Sequence, residues 1–217
     1  MGELNSRAFA VKNILENGVI HDGAKSVVLG ILESYNKKTG KLHLPTITGA
    51  LAALLGEAII RYCHPPQIVD EGYQYIRSEL VADLVFKGDK SNLAIIDIMS
   101  MFIEDGNALI GDKAWENDII IRTRQDFGGN GMFPNLSVGR DYYPYEGSLN
   151  AQLRFRELVD FTSANYCVCG LDKIYMLAVG LGNLIEMSGD LSDICNDKKK
   201  LFQLAVEISF GYAFMAP

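Results

Sequence analysis

Pro45 and the pair Pro65-Pro66 bracket a stretch, Thr46 to Cys63, that is apolar on almost every side. Proline fits the first turn of a helix but cannot continue one, and the residue before a proline avoids helical dihedrals, so the stretch is predicted as one helix stopping at His64. A helix this apolar belongs inside a fold, with other elements around it. Gly49, Ala52, Ala53 and Gly56 place small residues where a neighbouring backbone could approach closely. Near the end, Glu57 and Arg61 stand four apart in the favourable orientation for an ion pair.

Part of this helix has an echo: Leu51-Ala52-x-x-Leu55-Gly56-x-x-Ile59 recurs as Leu177-Ala178-x-x-Leu181-Gly182-x-x-Ile185. No flanking similarity supports a duplication, so convergence of two buried helices on small and aliphatic residues is the simpler reading. If the match is real, the two are quasi-equivalent centrepieces of one bundle. Helical periodicity also governs most of the rest. Leu4, Ala8, Val11, Ile14 and Leu15 form one stripe, ended by Asn17-Gly18; Val27, Val28, Ile31 and Leu32 form the inward face of a helix from Ala24 to Tyr35. Further helices are predicted over 67–86, 92–104, 148–167, 171–187 and 198–214.

Between Trp115 and Ser148 the pattern stops. Ile119-Ile120-Ile121-Arg122-Thr123-Arg124 has the β-branched character of a strand, and Phe127-Gly128-Gly129-Asn130-Gly131 has turn chemistry. The expected fold is therefore mainly α: a single bundle-like domain spanning 1–217, of about eight helices, with an irregular or β-hairpin insertion around 115–148.

Acidic residues outnumber basic ones by 27 to 20, a net charge of −7, which disfavours nucleic acid as a partner. Cys63, Cys167, Cys169 and Cys195 contain no Cys-x-x-Cys and are too sparse for a disulfide scaffold. No apolar signal segment is evident, and the apolar run from Ile47 to Ile60 is broken by Thr48 and Glu57 and is too short to span a bilayer. A cytoplasmic location without a membrane partner is expected. Gly2 and Ser6 match the loose N-myristoylation pattern, but no polybasic second signal accompanies them, and one acyl chain anchors only weakly.

The familiar motifs fall short. His21-Asp22 has the adjacent pair used by metal-dependent His-Asp hydrolases, but those need an upstream histidine, and none precedes His21. Asp22 is expected instead to cap the helix beginning near Ala24. Cys167-x-Cys169 could join Cys63 and His64 around zinc only if their helices meet, and small buried thiols are the simpler reading. Asp105-Gly106-Asn107 with Glu116 resembles a calcium loop, but Leu109 and Ile110 stand where an oxygen ligand and a glycine are required. Asp126-Phe127-Gly128 and the glycines after it lack the context of a kinase or phosphate loop. No metal or cofactor is assigned.

One anomaly remains. Five of the eight arginines, Arg122, Arg124, Arg140, Arg154 and Arg156, fall within 35 residues that hold no lysine, interleaved with Tyr142, Tyr143 and Tyr145. Guanidinium without ammonium is what planar recognition of phosphate or carboxylate selects, and arginine with tyrosine is also what protein interfaces enrich. The competing structural reading pairs these arginines with acids on nearby helices. The expected function is a non-catalytic binding or protein-interaction protein, a homo-oligomer, using this segment. The alternative is a metal-assisted hydrolase or transferase for a small phosphorylated substrate. There Arg122, Arg124 and Arg140 would clamp a small anionic ligand, and Glu57, Asp97 or Glu104 would hold Mg²⁺ or act as base.

Overall fold

The structure, a computed structural model, describes residues 11–39, 42–64, 79–88, 93–110, 112–126, 136–145, 148–192 and 194–214. The helices are α1 (Gly18–Thr39), α2 (Leu44–Cys63), α3 (Glu79–Phe86), α4 (Ile95–Ser100), α5 (Lys113–Asp126), α6 (Ser148–Asn165), α7 (Gly170–Glu186), the single turn α8 (Ser188–Leu191) and α9 (Lys198–Phe214). Short 3₁₀ turns lie at Gly106–Leu109 and Arg140–Tyr142, and residues 11–16 are helical. No strand occurs among the described residues. The chain is mainly α.

The two helices that share a sequence pattern are the centre of the packing. α2 lies against α9, α7 and α6, while α7 lies against α1, α2 and α4. Most of α2 is buried, from Leu44 through Gly56 and again at Ile59 and Ile60. With 20 residues, α2 is long and apolar enough to cross a membrane, which corrects the expectation drawn from the Ile47–Ile60 run, but 83% of its apolar window is buried inside the fold. It ends at Cys63, with His64 already extended at φ −132°, as the prolines beyond it require. One hydrophobic cluster runs from Ile14 through α1, α2 and α7 to Ala213. Each Leu or Ile removed from water there contributes about 1.5–3 kcal/mol.

Both patterned glycines sit at close helix contacts. A methyl group on Gly56 would stand 2.5 Å from the Ser209 carbonyl oxygen and 2.5 Å from the Tyr212 Cβ of α9. On Gly182 it would stand 2.6 Å from the Met99 carbonyl oxygen of α4. The shared pattern marks two places where backbone meets backbone, the close approach that the small residues of α2 predicted.

Two local readings are corrected. α1 begins at Gly18, so Asp22 lies inside the helix on an exposed face instead of capping it. The cap is Asn17, whose side-chain oxygen accepts the Ile20 N–H at 3.3 Å. His21 then bonds through Nε2 to the Ile14 carbonyl oxygen at 3.0 Å and sets its ring edge against Phe102, tying the preceding turn down. Asn17→Ala is expected to cost about 1 kcal/mol and Asp22→Ala less than about 0.5 kcal/mol, read from urea denaturation midpoints.

The second correction is the run from Ile119 to Arg124, which is α-helical and not a strand. Its burial has helical period: Glu116, Ile119 and Thr123 are buried, while Ile121 is 52% exposed. Asp112 caps this helix, its carboxylate accepting the N–H groups of Ala114 and Trp115 at 3.0 and 3.1 Å. Packing and a good cap override the modest β preference of three isoleucines. The expected turn at Phe127-Gly128-Gly129-Asn130-Gly131 lies outside the described residues.

Candidate functional site

The arginine-tyrosine segment divides into an inward half and an outward half. Arg122, on α5, donates from Nε to Asp118 at 2.6 Å and from Nη2 to Glu207 Oε1 at 2.8 Å. Glu207 belongs to α9 and is only 2% exposed. Its other oxygen accepts the Ser137 N–H at 2.8 Å, and the Ser137 hydroxyl donates to Oε1. This carboxylate therefore ties three parts of the chain together: α5, α9 and the strap 136–145. Tyr142 is also turned in. It is buried, its hydroxyl accepts the Asp197 N–H at 2.9 Å, and the Lys200 ammonium stands 5.0 Å from its ring centre. Burial raises its pKa.

The outward half is built on the N-terminus of α2. Thr46, 1% exposed, accepts the backbone N–H of Tyr145 at 2.9 Å and shares a second hydrogen bond, 2.8 Å long, with His43 Nδ1. The Tyr145 ring stacks on His43 with centroids 3.6 Å apart and planes 15° from parallel. Even so, Tyr145 is 82% exposed. Tyr143 is 42% exposed and donates its hydroxyl proton to the Leu136 carbonyl oxygen at 3.3 Å. Arg140 and Asp141 are exposed beside them.

Comparison with family models, with curated proteins and with solved structures returns no match to this chain.

The remaining arginines go elsewhere. Arg154 is half-buried on α6, its guanidinium 5.6 Å from the Phe155 ring centre. Arg156 faces α2, donating from Nε to Glu57 Oε2 at 3.2 Å, with Nη2 3.0 Å from the same oxygen. The side chain of Arg124 lies outside the described residues. The eight residues singled out in the sequence thus do not form one constellation: Arg122 belongs to the Glu207 knot, Arg156 to Glu57, and Tyr143 and Tyr145 to the surface. Of the carboxylates named for a catalytic alternative, Glu57 is held between Arg61 and Arg156, and Glu104 faces Lys198 at 3.7 Å. Cys167 and Cys169 are exposed, while Cys63 is half-buried and its thiol is pushed up to about 11 by burial. Among the described residues, no three His, Cys, Asp or Glu side chains are grouped to hold a metal ion.

Sequence reasoning missed Thr46 and His43, which hold Tyr145, and Glu207, which holds Arg122. No local signal identifies them, because the Tyr145–Thr46 bond spans 99 residues and the Arg122–Glu207 bond spans 85.

Proposed function

We propose that this chain is a non-catalytic binding protein that docks through the strap around Tyr145, with a second copy of itself as the partner. The observation that supports this reading is that Tyr145 is 82% exposed and yet tied down, its ring stacked on His43 and its N–H donated to the buried Thr46. An ordered exposed aromatic offers a large contact area at small entropic cost, since its rotamer is set before a partner arrives. Tyr143 widens the patch. Arg140 and Asp141 place opposite charges side by side on it, which suits a twofold contact, where each residue must meet the complement of its neighbour. The net charge of −7 resists association at long range, so the match has to be short-ranged.

Sedimentation velocity over a concentration series tests the reading. The wild-type chain is expected to self-associate, and Tyr145→Ser to weaken that by about thirtyfold in Kd, the scale of losing one aromatic anchor worth about 2 kcal/mol. Thermal stability should change little, because the ring is mostly in water. A wild-type chain that stays monomeric throughout, or a variant that associates equally well, would rule out this docking surface.

A further inference from the structure

A second site lies on another face, where α2, α6 and α7 meet around an open cleft of about 290 Å³. Its apolar wall is Leu54, Ala58 and Val159; its charges are Arg61, Arg156 and Lys173 against Glu57 and Asp160. Three cations and two carboxylates line the cleft in a chain whose net charge is −7.

The hydrogen-bond arrangement places these groups more closely. Glu57, with its side chain 12% exposed, accepts Arg61 Nε on Oε1 at 3.0 Å and Arg156 on Oε2. One carboxylate therefore orients two guanidinium groups. A guanidinium has five N–H donors, and Arg156 donates from Nε to a Glu57 oxygen that also stands 3.0 Å from its Nη2. Its remaining donors are available to a ligand in the cleft. Lys173 gives one of its three protons to Asp160 at 2.7 Å. Arg156 and Lys173 thus both have donors to spare and already positioned at the cleft.

From this we infer that the cleft binds a small organic oxyanion, a carboxylate or phosphate ester, with its oxygens on Arg156 and Lys173 and its carbon skeleton against Leu54, Ala58 and Val159. A guanidinium held by a fixed carboxylate loses little freedom on meeting an anion, and two positive groups on neighbouring helices suit a ligand with more than one acceptor oxygen. The volume is near the lower end of the roughly 300–1,000 Å³ typical of small-molecule sites, so the ligand is short. The site is independent of the Tyr145 strap.

Isothermal titration calorimetry on the full chain, with succinate, glycerol 3-phosphate and inorganic phosphate each at matched ionic strength, is the test. Saturable binding is expected for at least one of the three. Arg156→Gln should weaken it at least about tenfold, the scale of a lost charge-assisted hydrogen bond. Lys173→Gln guards against a folding defect at Arg156, because its partner Asp160 is 57% exposed and tolerates being left alone; it too should weaken binding, while Lys12→Gln, at a 66% exposed side chain outside the cleft, should not. Binding of succinate alone would assign a carboxylate, and binding of both phosphate compounds without succinate a phosphate ester. No saturable binding of any probe, or binding that both cleft variants keep in full, would overturn the proposal.

Discussion

Gly56→Ala is expected to lower the thermal unfolding midpoint by about 4–8 °C, although alanine is the better helix former by about 1 kcal/mol. The added Cβ would lie 2.5 Å from the Ser209 carbonyl oxygen, 2.5 Å from the Tyr212 Cβ and 3.1 Å from the Ala213 nitrogen. None of these can swing aside by a side-chain rotation. α9 would have to move bodily away from α2, and a close-packed interface that opens by a fraction of an ångström loses dispersion contacts along its length. Overpacking of this kind costs about 1–3 kcal/mol, and a clash with backbone lies at the upper end, leaving a net loss of about 2 kcal/mol after the gain in propensity. Two other glycines calibrate the effect. At Gly30 the obstacle is the end of the Leu158 side chain, 2.9 Å away, which can turn, so Gly30→Ala should stay within about 0.5 kcal/mol of wild type. Gly18 meets nothing within 4 Å, and Gly18→Ala should be neutral or slightly stabilising. Calorimetric midpoints for the three variants give the comparison. A Gly56→Ala chain as stable as Gly30→Ala would mean that α2 and α9 are not in backbone contact there.

That close contact was legible in advance because small residues at helical spacing have few other uses inside an apolar helix. The stop at His64 was legible for a similar reason: two prolines leave one outcome. The helix over Ile119–Arg124 was not, because three consecutive β-branched residues speak for a strand and the opposing signals are either small or distant. Asp112 was the local clue, a capping residue directly before Lys113. Burial of Ile119 and Thr123 against the rest of the fold supplied the remainder, and no window of sequence contains it. The same limit shaped the reading of the sites. Arginine without lysine pointed to guanidinium chemistry, yet sequence proximity grouped Arg122 with Arg156, which the fold sends to different carboxylates. The cleft draws on Arg61, noted only as the partner of Glu57, and on Lys173. The latter reaches it because the chain bends by 119° between α6 and α7, with Cys167 and Gly170 both at positive φ in that turn. Spacing along the chain cannot express such a bend.

Arg122→Met tests whether the inward half of the segment acts through structure. It should destabilise the protein by about 3 kcal/mol, or about 6–12 °C in midpoint, because it leaves the Glu207 carboxylate 2% exposed with only Ser137 to satisfy it. Removing one partner of a buried pair typically costs about 3–5 kcal/mol; the Arg122 side chain is 23% exposed, so water reaches the vacated place and the lower figure applies. Glu207→Gln should cost only about 1 kcal/mol, since the amide oxygen still accepts from Ser137 and Arg122 keeps Asp118. The double variant discriminates. Once Glu207 is neutral, Arg122→Met no longer strands a charge, so Arg122→Met/Glu207→Gln should be more stable than Arg122→Met alone by about 2 kcal/mol, where additive sites would make it less stable by about 1 kcal/mol, a coupling of about 3 kcal/mol. Equal stability of the two would show that the carboxylate is solvated. The pair also bears on docking, because Glu207 anchors Ser137 and with it the start of the strap that carries Tyr145. If the strap must be ordered to bind, Arg122→Met weakens self-association with no contact of its own at the interface, and Glu207→Gln restores association in step with stability.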